Sequence, residues 1–321
     1  MTVLTLSGPT TTLNMPPAVQ QALSDYILAT PEADLIHMFP VKRFALPMNS
    51  GNTLRMVRFD NLPVVKQPLP QNGTIPAPAV QTDEFVDARI RYYGQSVLLN
   101  EQVYLENQQP VFVGATERLQ YCFQLSQDQL IRDAMAATTS VVNCTGGVAA
   151  STPTELSLQD IQDVNTLLLR NKAMKFTSGI EGEDRFGTGP IAASYLALGH
   201  TDLLNSLTNI SQFIASHQYS NVTPVLPAEV GYCNYFRFCL SAEGLIEANA
   251  SSIGTDVYDM FMVAREAVGD VELSGYGVQL VYSDPSLVEP RFRTASSLAV
   301  KWSQAPTILN DAWLVRLRCV L

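Results

Sequence analysis

Three histidines, His37, His200 and His217, are all the imidazole that the chain contains. They lie far apart, with no HExxH pair or other ligand spacing, so nothing indicates a histidine metal centre. His200-Thr201-Asp202 is the only local pairing of histidine with carboxylate. As a general base it would need a nucleophile, and no Gly-x-Ser-x-Gly elbow presents one. His200 therefore reads as a structural, helix-capping residue. The run GIEGEDRFGTGP (179–190) has the glycines of a phosphate loop without its lysine or spacing, and Glu181, Glu183 and Asp184 would repel phosphate. Those acids also lack the spacing of a Ca2+ loop. Cys122, Cys144, Cys233, Cys239 and Cys319 form no CxxC pair, and Cys144 follows a helical pattern, where no helix dipole activates it. The expectation is that there are no catalytic, metal-ligating or cofactor-binding residues.

Composition narrows the remaining classes. The 321 residues are enough for one large domain or two smaller ones. Charged residues make up 16%, against about a quarter in ordinary soluble proteins, while 46% are hydrophobic. Such a chain is either an acidic enzyme with a lean surface or a protein whose surface meets other protein. The net charge of −10, with no run of Lys or Arg, argues against a grip on phosphate backbones or anionic membranes. No apolar stretch reaches the length of a membrane span. MTVLTLSGPTTTLNMPP lacks the basic patch and apolar run of a signal peptide, and with five unpaired-looking cysteines the expectation is a reducing cytoplasm with free thiols.

The elements follow from periodicity. Residues 1–50 read as an arm with one short helix (17–30), which must dock on something to bury its apolar face. TLRMVRFDN (53–61) is a strand pattern with imperfect alternation. From 84 to 103 the alternation is clear: Phe85, Asp87, Arg89, Arg91 and Tyr93 share one face, and Val86, Ala88, Ile90 and Tyr92 the other. Between them, NLPVVKQPLPQNGTIPAPAV (61–80) carries five prolines, one charge and the turn pair Asn72-Gly73. Together these predict a hairpin about twenty residues long on each side. At about 3.3 Å per residue its reach approaches about 60 Å, so its tip projects from the body.

A long helical pattern follows over 115–140, with Leu119, Cys122, Phe123, Leu130, Ala134 and Ala137 at helical spacing. Asn143–Gly147 breaks it. A second helix starts at Ser157, with Asp160 completing a capping-box pattern ahead of Ile161, Val164 and Leu168. ASYLALGH (193–200) reads as a buried strand leading into a short helix (201–210). Residues 234–240, 276–283, 297–302 and 311–321 have strand composition, and 257–275 a short helix or strand and a turn. The mixture is α+β, without internal repeats.

The order of these elements resembles the major capsid proteins of tailed double-stranded DNA bacteriophages, the HK97 capsid fold. The segments GNTLRMVRFDNLP, IRYYGQSVLLNEQV, LSQDQLIRDAM, GTGPIAASYLALGHTDL and LPAEVGYCNYFRF, with YSDP paired to ILNDAWLVRLR, are similar to the N-four-like podophage capsid family. The resemblance implies an N-arm over 1–50, an E loop over 51–95 and a P domain with spine helix over 96–150. It further implies an A domain over 151–256 and a return to the P domain over 257–321.

On the same basis the loop tip, Pro63, Val64, Val65, Lys66, Pro68, Leu69, Pro70, Ile75, Pro76 and Pro78, would lie across a neighbouring subunit. Arg55, Arg58, Phe59, Arg89 and Arg91 would line the loop's strands. Proline stiffness would reduce the ordering cost of that docking. An isopeptide bond between Lys66 and Asn310, known in some relatives, is weighed against Lys66 as an ordinary interface cation, which is preferred. The implied partners are the chain itself as hexamers and pentamers, a portal, scaffolding or decoration proteins, and enclosed double-stranded DNA. The implied place is the virion, assembled in the host cytoplasm. A nanocompartment shell of the same fold and an α/β enzyme using His200 and Asp202 are the alternatives.

Overall fold

The structure, a computed structural model, describes residues 32–59, 61, 62, 64, 66, 80–106, 111–148, 152–176, 193–218, 226, 228–288 and 291–321. The arm residues 1–31 and most of the proline-rich segment lie outside this set.

Among the described residues the strands are β1 (Lys42–Leu46), β2 (Thr53–Phe59), β3 (Asp83–Arg89), β4 (Arg91–Asn100) and β5 (Val141–Asn143). They continue with β6 (Tyr195–His200), β7 (Ile214–Ala215), β8 (Glu229–Cys233), β9 (Phe236–Ser241) and β10 (Ile246–Glu247). The last are β11 (Val257–Val263), β12 (Val268–Leu273), β13 (Gln279–Ser283), β14 (Ala295–Ile308) and β15 (Leu314–Cys319). Two main sheets result. One runs β5-β15-β11-β6-β9-β8-β7, with β10 beside β11; the other runs β1-β12-β14-β13, with β4 also on β14. β2 and β3 pair only with each other.

Residues 257–275 resolve as two strands. All seven residues of VYDMFMV in β11 are buried, because β6 and β15 flank it and packed side chains cover both faces. A strand buried on both sides has no polar alternation and cannot be told from a helix by period. After a turn, the chain crosses to the other sheet as β12.

The long helix spans Val111–Ala136, a few residues earlier than the 115–140 pattern, and a short helix (Glu101–Glu106) precedes it. It joins the two sheets. Leu119 and Phe123 pack on Leu298, Val300 and Trp302 of β14, whereas Ile131 and Met135 pack on Leu196, Leu198, Phe261 and Val263 of the eight-stranded sheet. Burying each of those aliphatic side chains contributes roughly 1.5–3 kcal/mol. Ala137 lies just past the helix end and is exposed. There Arg316 Nη1 donates to the carbonyl of Ala136 at 3.2 Å, satisfying a terminal acceptor.

The helix Leu158–Arg170 is capped as its sequence predicts. Ser157 Oγ accepts from the N–H of Asp160, whose carboxylate accepts from the N–H of Ser157 at 3.1 Å. Asp160 also takes the N–H of Thr145 at 3.0 Å, so the Asn143–Gly147 turn folds over the helix start. Gly146 permits this approach, since a Cβ there would sit 2.2 Å from Ser157 Oγ. Ile161, Val164 and Leu168 face the core.

The strand expected over 84–103 is broken. β3 ends at Arg89, Ile90 donates its N–H to Asn52 O at 2.9 Å, and β4 starts at Arg91 in another sheet. The alternation continues through the break because both halves are strands, so a change of partner leaves no mark in the period.

Candidate assembly surface

The β2–β3 hairpin is built as its alternation dictates. Register runs from Thr53 opposite Arg89 to Phe59 opposite Asp83. Leu54 and Ala88, at the root, turn inward onto Leu46, Val271 and Ala305. Thr53, Arg55, Val57 and Phe59 alternate outward, without the break that the sequence suggested.

Opposite charges on both faces hold the two strands in register. Arg55 donates two bonds to the directly opposed Asp87, at 2.7 and 2.8 Å, and Arg58 bonds the directly opposed Glu84 three positions further out, on the other face. The hydrogen bond from Arg55 holds the Asp87 carboxyl below its ordinary range, and Asp87 in turn raises Arg55. Arg55 also lies over the Phe85 ring, 5.4 Å from its centre. The apolar neighbours remain bare: Phe59 is 63% and Phe85 58% exposed, and Leu62, Val64 and Val80 continue the exposed apolar surface beyond the strands. Several exposed large apolar groups on one projecting element mark an interaction surface.

The sequence-predicted residues divide as follows. Arg55, Arg58 and Phe59 lie on β2, Arg89 closes β3 and Arg91 opens β4. Of the predicted tip residues, Val64 and Lys66 are described and both are exposed. Pro63, Val65, Pro68, Leu69, Pro70, Ile75, Pro76 and Pro78 lie outside the described residues. Asn310 is occupied as a cap, its Oδ1 accepting from Ala312 N at 3.2 Å.

Two hollows beside the hairpin have no signal in the sequence, because each draws on distant segments. A groove of about 490 Å³ lies beneath the hairpin, between Met56 and Val86 above and Phe44, Leu309 and Trp313 below. Lys42 and Glu266, paired at 2.9 Å, stand at its edge. A second pocket, of about 390 Å³, lies at the root and includes Arg89 and Arg91.

The histidine–carboxylate pair is structural. His200 caps a single helical turn, its Nδ1 accepting from Asp202 N at 3.1 Å, and its Nε2 bonds Ala242 O at 3.1 Å. Asp202 accepts from Tyr258 Oη at 3.2 Å. Both imidazole nitrogens are therefore engaged. No group of three or more His, Cys, Asp or Glu side chains able to hold a metal occurs among the described residues. No helix among them is long and apolar enough to cross a membrane.

No protein-family model and no curated protein sequence matches the chain. Solved structures do. The capsid of Ralstonia phage GP4 superposes with a TM-score of 0.65 at 11% identity, covering 87% of this chain and 86% of that one. The capsid of Cyanophage P-SCSP1u gives 0.64 at 9% identity, covering 96% of each chain. The head structure of Helicobacter pylori bacteriophage KHP40 gives 0.60 at 10% identity, covering 87% and 86%. At these identities the likeness is one of fold, and it extends over nearly the whole of each chain. Two sheets joined by one long helix, with a separate projecting hairpin, make this an α+β chain with the HK97-type phage capsid fold.

Proposed function

We propose that the chain is the major capsid protein of a tailed double-stranded DNA phage, self-assembling into the icosahedral shell of the virion. The observation that carries this reading is the near end-to-end match to phage capsid structures, in both directions of coverage. The exposed apolar hairpin and the low charged fraction support it, since both suit surfaces that meet other copies. The role is structural, with no catalysis. The motifs quoted above resemble those of the N-four-like podophage group, and in this reading the chain is placed with it.

In this reading the proline-rich tip, residues 63–78, docks on a neighbouring copy within hexamers and pentamers. Residues 1–50 serve as the arm, 51–95 as the loop, 96–150 and 257–321 as the P domain and 151–256 as the A domain. A portal at one vertex, together with scaffolding or decoration proteins, completes the set of partners. The net negative charge fits a wall that encloses DNA without gripping it.

Electron microscopy of the purified protein, alone and in particles from infected cells, tests the proposal. Closed shells or capsomer rings are expected. Absence of the protein from every particle would overturn the reading. A nanocompartment shell would form the same particles without nucleic acid, which the 260/280 nm absorbance ratio distinguishes.

A further inference from the structure

At the root of the hairpin, between β3, β4 and the end of β14, lies the open, mainly polar pocket of about 390 Å³. Arg89 and Arg91 line it on either side of the break at Ile90, with Gln304 and Thr307 from β14. Asp87 also borders it, but its carboxylate is held by Arg55. Neither Arg89 nor Arg91 has an ionic partner among the described residues. Elsewhere the same hairpin pairs its arginines across the strands, so two unpaired guanidiniums side by side are a departure.

A second observation points to a ligand. Gln304 is only 1% exposed, yet neither its Oε1 nor its Nε2 has a hydrogen-bond partner. Its polar neighbour is the Asp270 carboxyl, whose Oδ1 is itself without a hydrogen-bond partner. Buried amides are nearly always satisfied, and an orphan in the wall of a pocket indicates a missing partner. The pocket thus presents two guanidinium forks and a hydroxyl, with the Gln304 amide buried behind them.

We propose that this pocket is a socket for the carboxylate of an Asp or Glu side chain from a second copy of the chain. Guanidinium forks match a carboxylate in shape and charge. The source is abundant, since each copy carries 30 acids against 20 basic residues. Copies with a net charge of −10 repel one another, so association requires positive groups concentrated at the contact, as here. A nucleic acid backbone is disfavoured because Asp87 borders the pocket and opposes a row of phosphates more than a single carboxylate. The inference rests on the proposed self-assembly and names one contact within it.

Zero-length carbodiimide crosslinking tests it. The Arg91→Lys and Arg89→Lys variants keep the charge and place an amine that carbodiimide can join directly to a bound carboxylate. Shells are assembled from a mixture of isotope-labelled and unlabelled copies, crosslinked and digested. A mixed-label link from position 89 or 91 to an Asp- or Glu-containing peptide is expected. Links to Asp87 of the same copy alone, or none, in well-formed shells would overturn the socket. The Arg89→Gln/Arg91→Gln double variant should lower the assembled fraction about tenfold at low salt and flatten its salt dependence, with Arg265→Gln as the control. A double variant that assembles like wild type but loses DNA would assign the pocket to phosphate instead. If the wild-type protein forms no particles, the proposed function itself fails, and that result is distinct from all of these.

Discussion

His37 Nδ1 lies 2.6 Å from Asp128 Oδ2, and both side chains are fully buried. The other carboxylate oxygen accepts the backbone N–H groups of His37 and Met38, at 2.8 and 3.2 Å. One acid in the middle of the long helix thus fastens the segment that leads into β1. Asp128→Ala leaves two buried donors and one half-buried donor without an acceptor, and the expected loss is about 3–5 kcal/mol of stability. Urea unfolding of the unassembled subunit measures it, and a loss below about 1 kcal/mol would show that the fastening carries little weight.

Burial pushes the Asp270 carboxyl up to about 6, above its ordinary 3.8. Because the folded pKa exceeds the unfolded one, the unfolded chain ionises first as pH rises. Stability therefore falls between about pH 4 and 6, and the penalty is fully present above pH 6. Asp270→Asn removes it, so the variant should gain at most about 3 kcal/mol at pH 7 and nothing near pH 4. Parallel denaturation curves at the two pH values check the prediction, and an equal effect at both would refute it.

The cysteines differ in reactivity for reasons of burial. The neighbouring Cys319 and then burial push the Cys144 thiol up, while burial pushes Cys239 up to about 12 and raises Cys233. Cys122 alone is partly exposed. Iodoacetamide at pH 8 should add a single adduct to the native protein, at Cys122, and five after unfolding. Rapid labelling of Cys144 or Cys239 in the folded chain would contradict this burial.

Phe59 and Phe85 stand exposed on the hairpin and contribute little to the fold of one copy. Phe59→Ser and Phe85→Ser should leave the melting temperature of the unassembled subunit within about 2 °C of wild type. The same changes should reduce shell formation by about tenfold or more if the hairpin docks on a neighbour. Light scattering during assembly reports the second effect and calorimetry the first. A large drop in melting temperature would mean that these rings serve the subunit instead.

Much of this architecture is written in local patterns. Ser157 and Asp160 identify a helix start from two residue types at one spacing, and the alternation from Phe85 to Tyr93 marks strand on both sides of the break at Ile90. What escapes is partnership. Nothing in RIR (89–91) says that the strand changes sheets at Ile90. Arg316 and Arg318 alternate with apolar residues as though bound for solvent, yet Arg316 meets the fully buried Asp259 at 2.6 Å, 57 positions away. The pocket at the hairpin root stays hidden for the same reason, since Arg91 and Gln304 become neighbours only through register.

The separate pairing of β2 and β3 has a mechanical consequence. Its root is clamped by Leu54 and Ala88 against Val271 and Ala305, while the outer ladder has no sheet beside it among the described residues. The hairpin is therefore a lever with its pivot inside the core. Over a strand about 23 Å long, a swing of about 10° at the pivot carries Phe59 by about 4 Å. Small repacking at four aliphatic side chains is amplified into a displacement the size of a side chain at the outer end. A single sequence can thereby adjust its reach to neighbours set at different angles without rebuilding either main sheet.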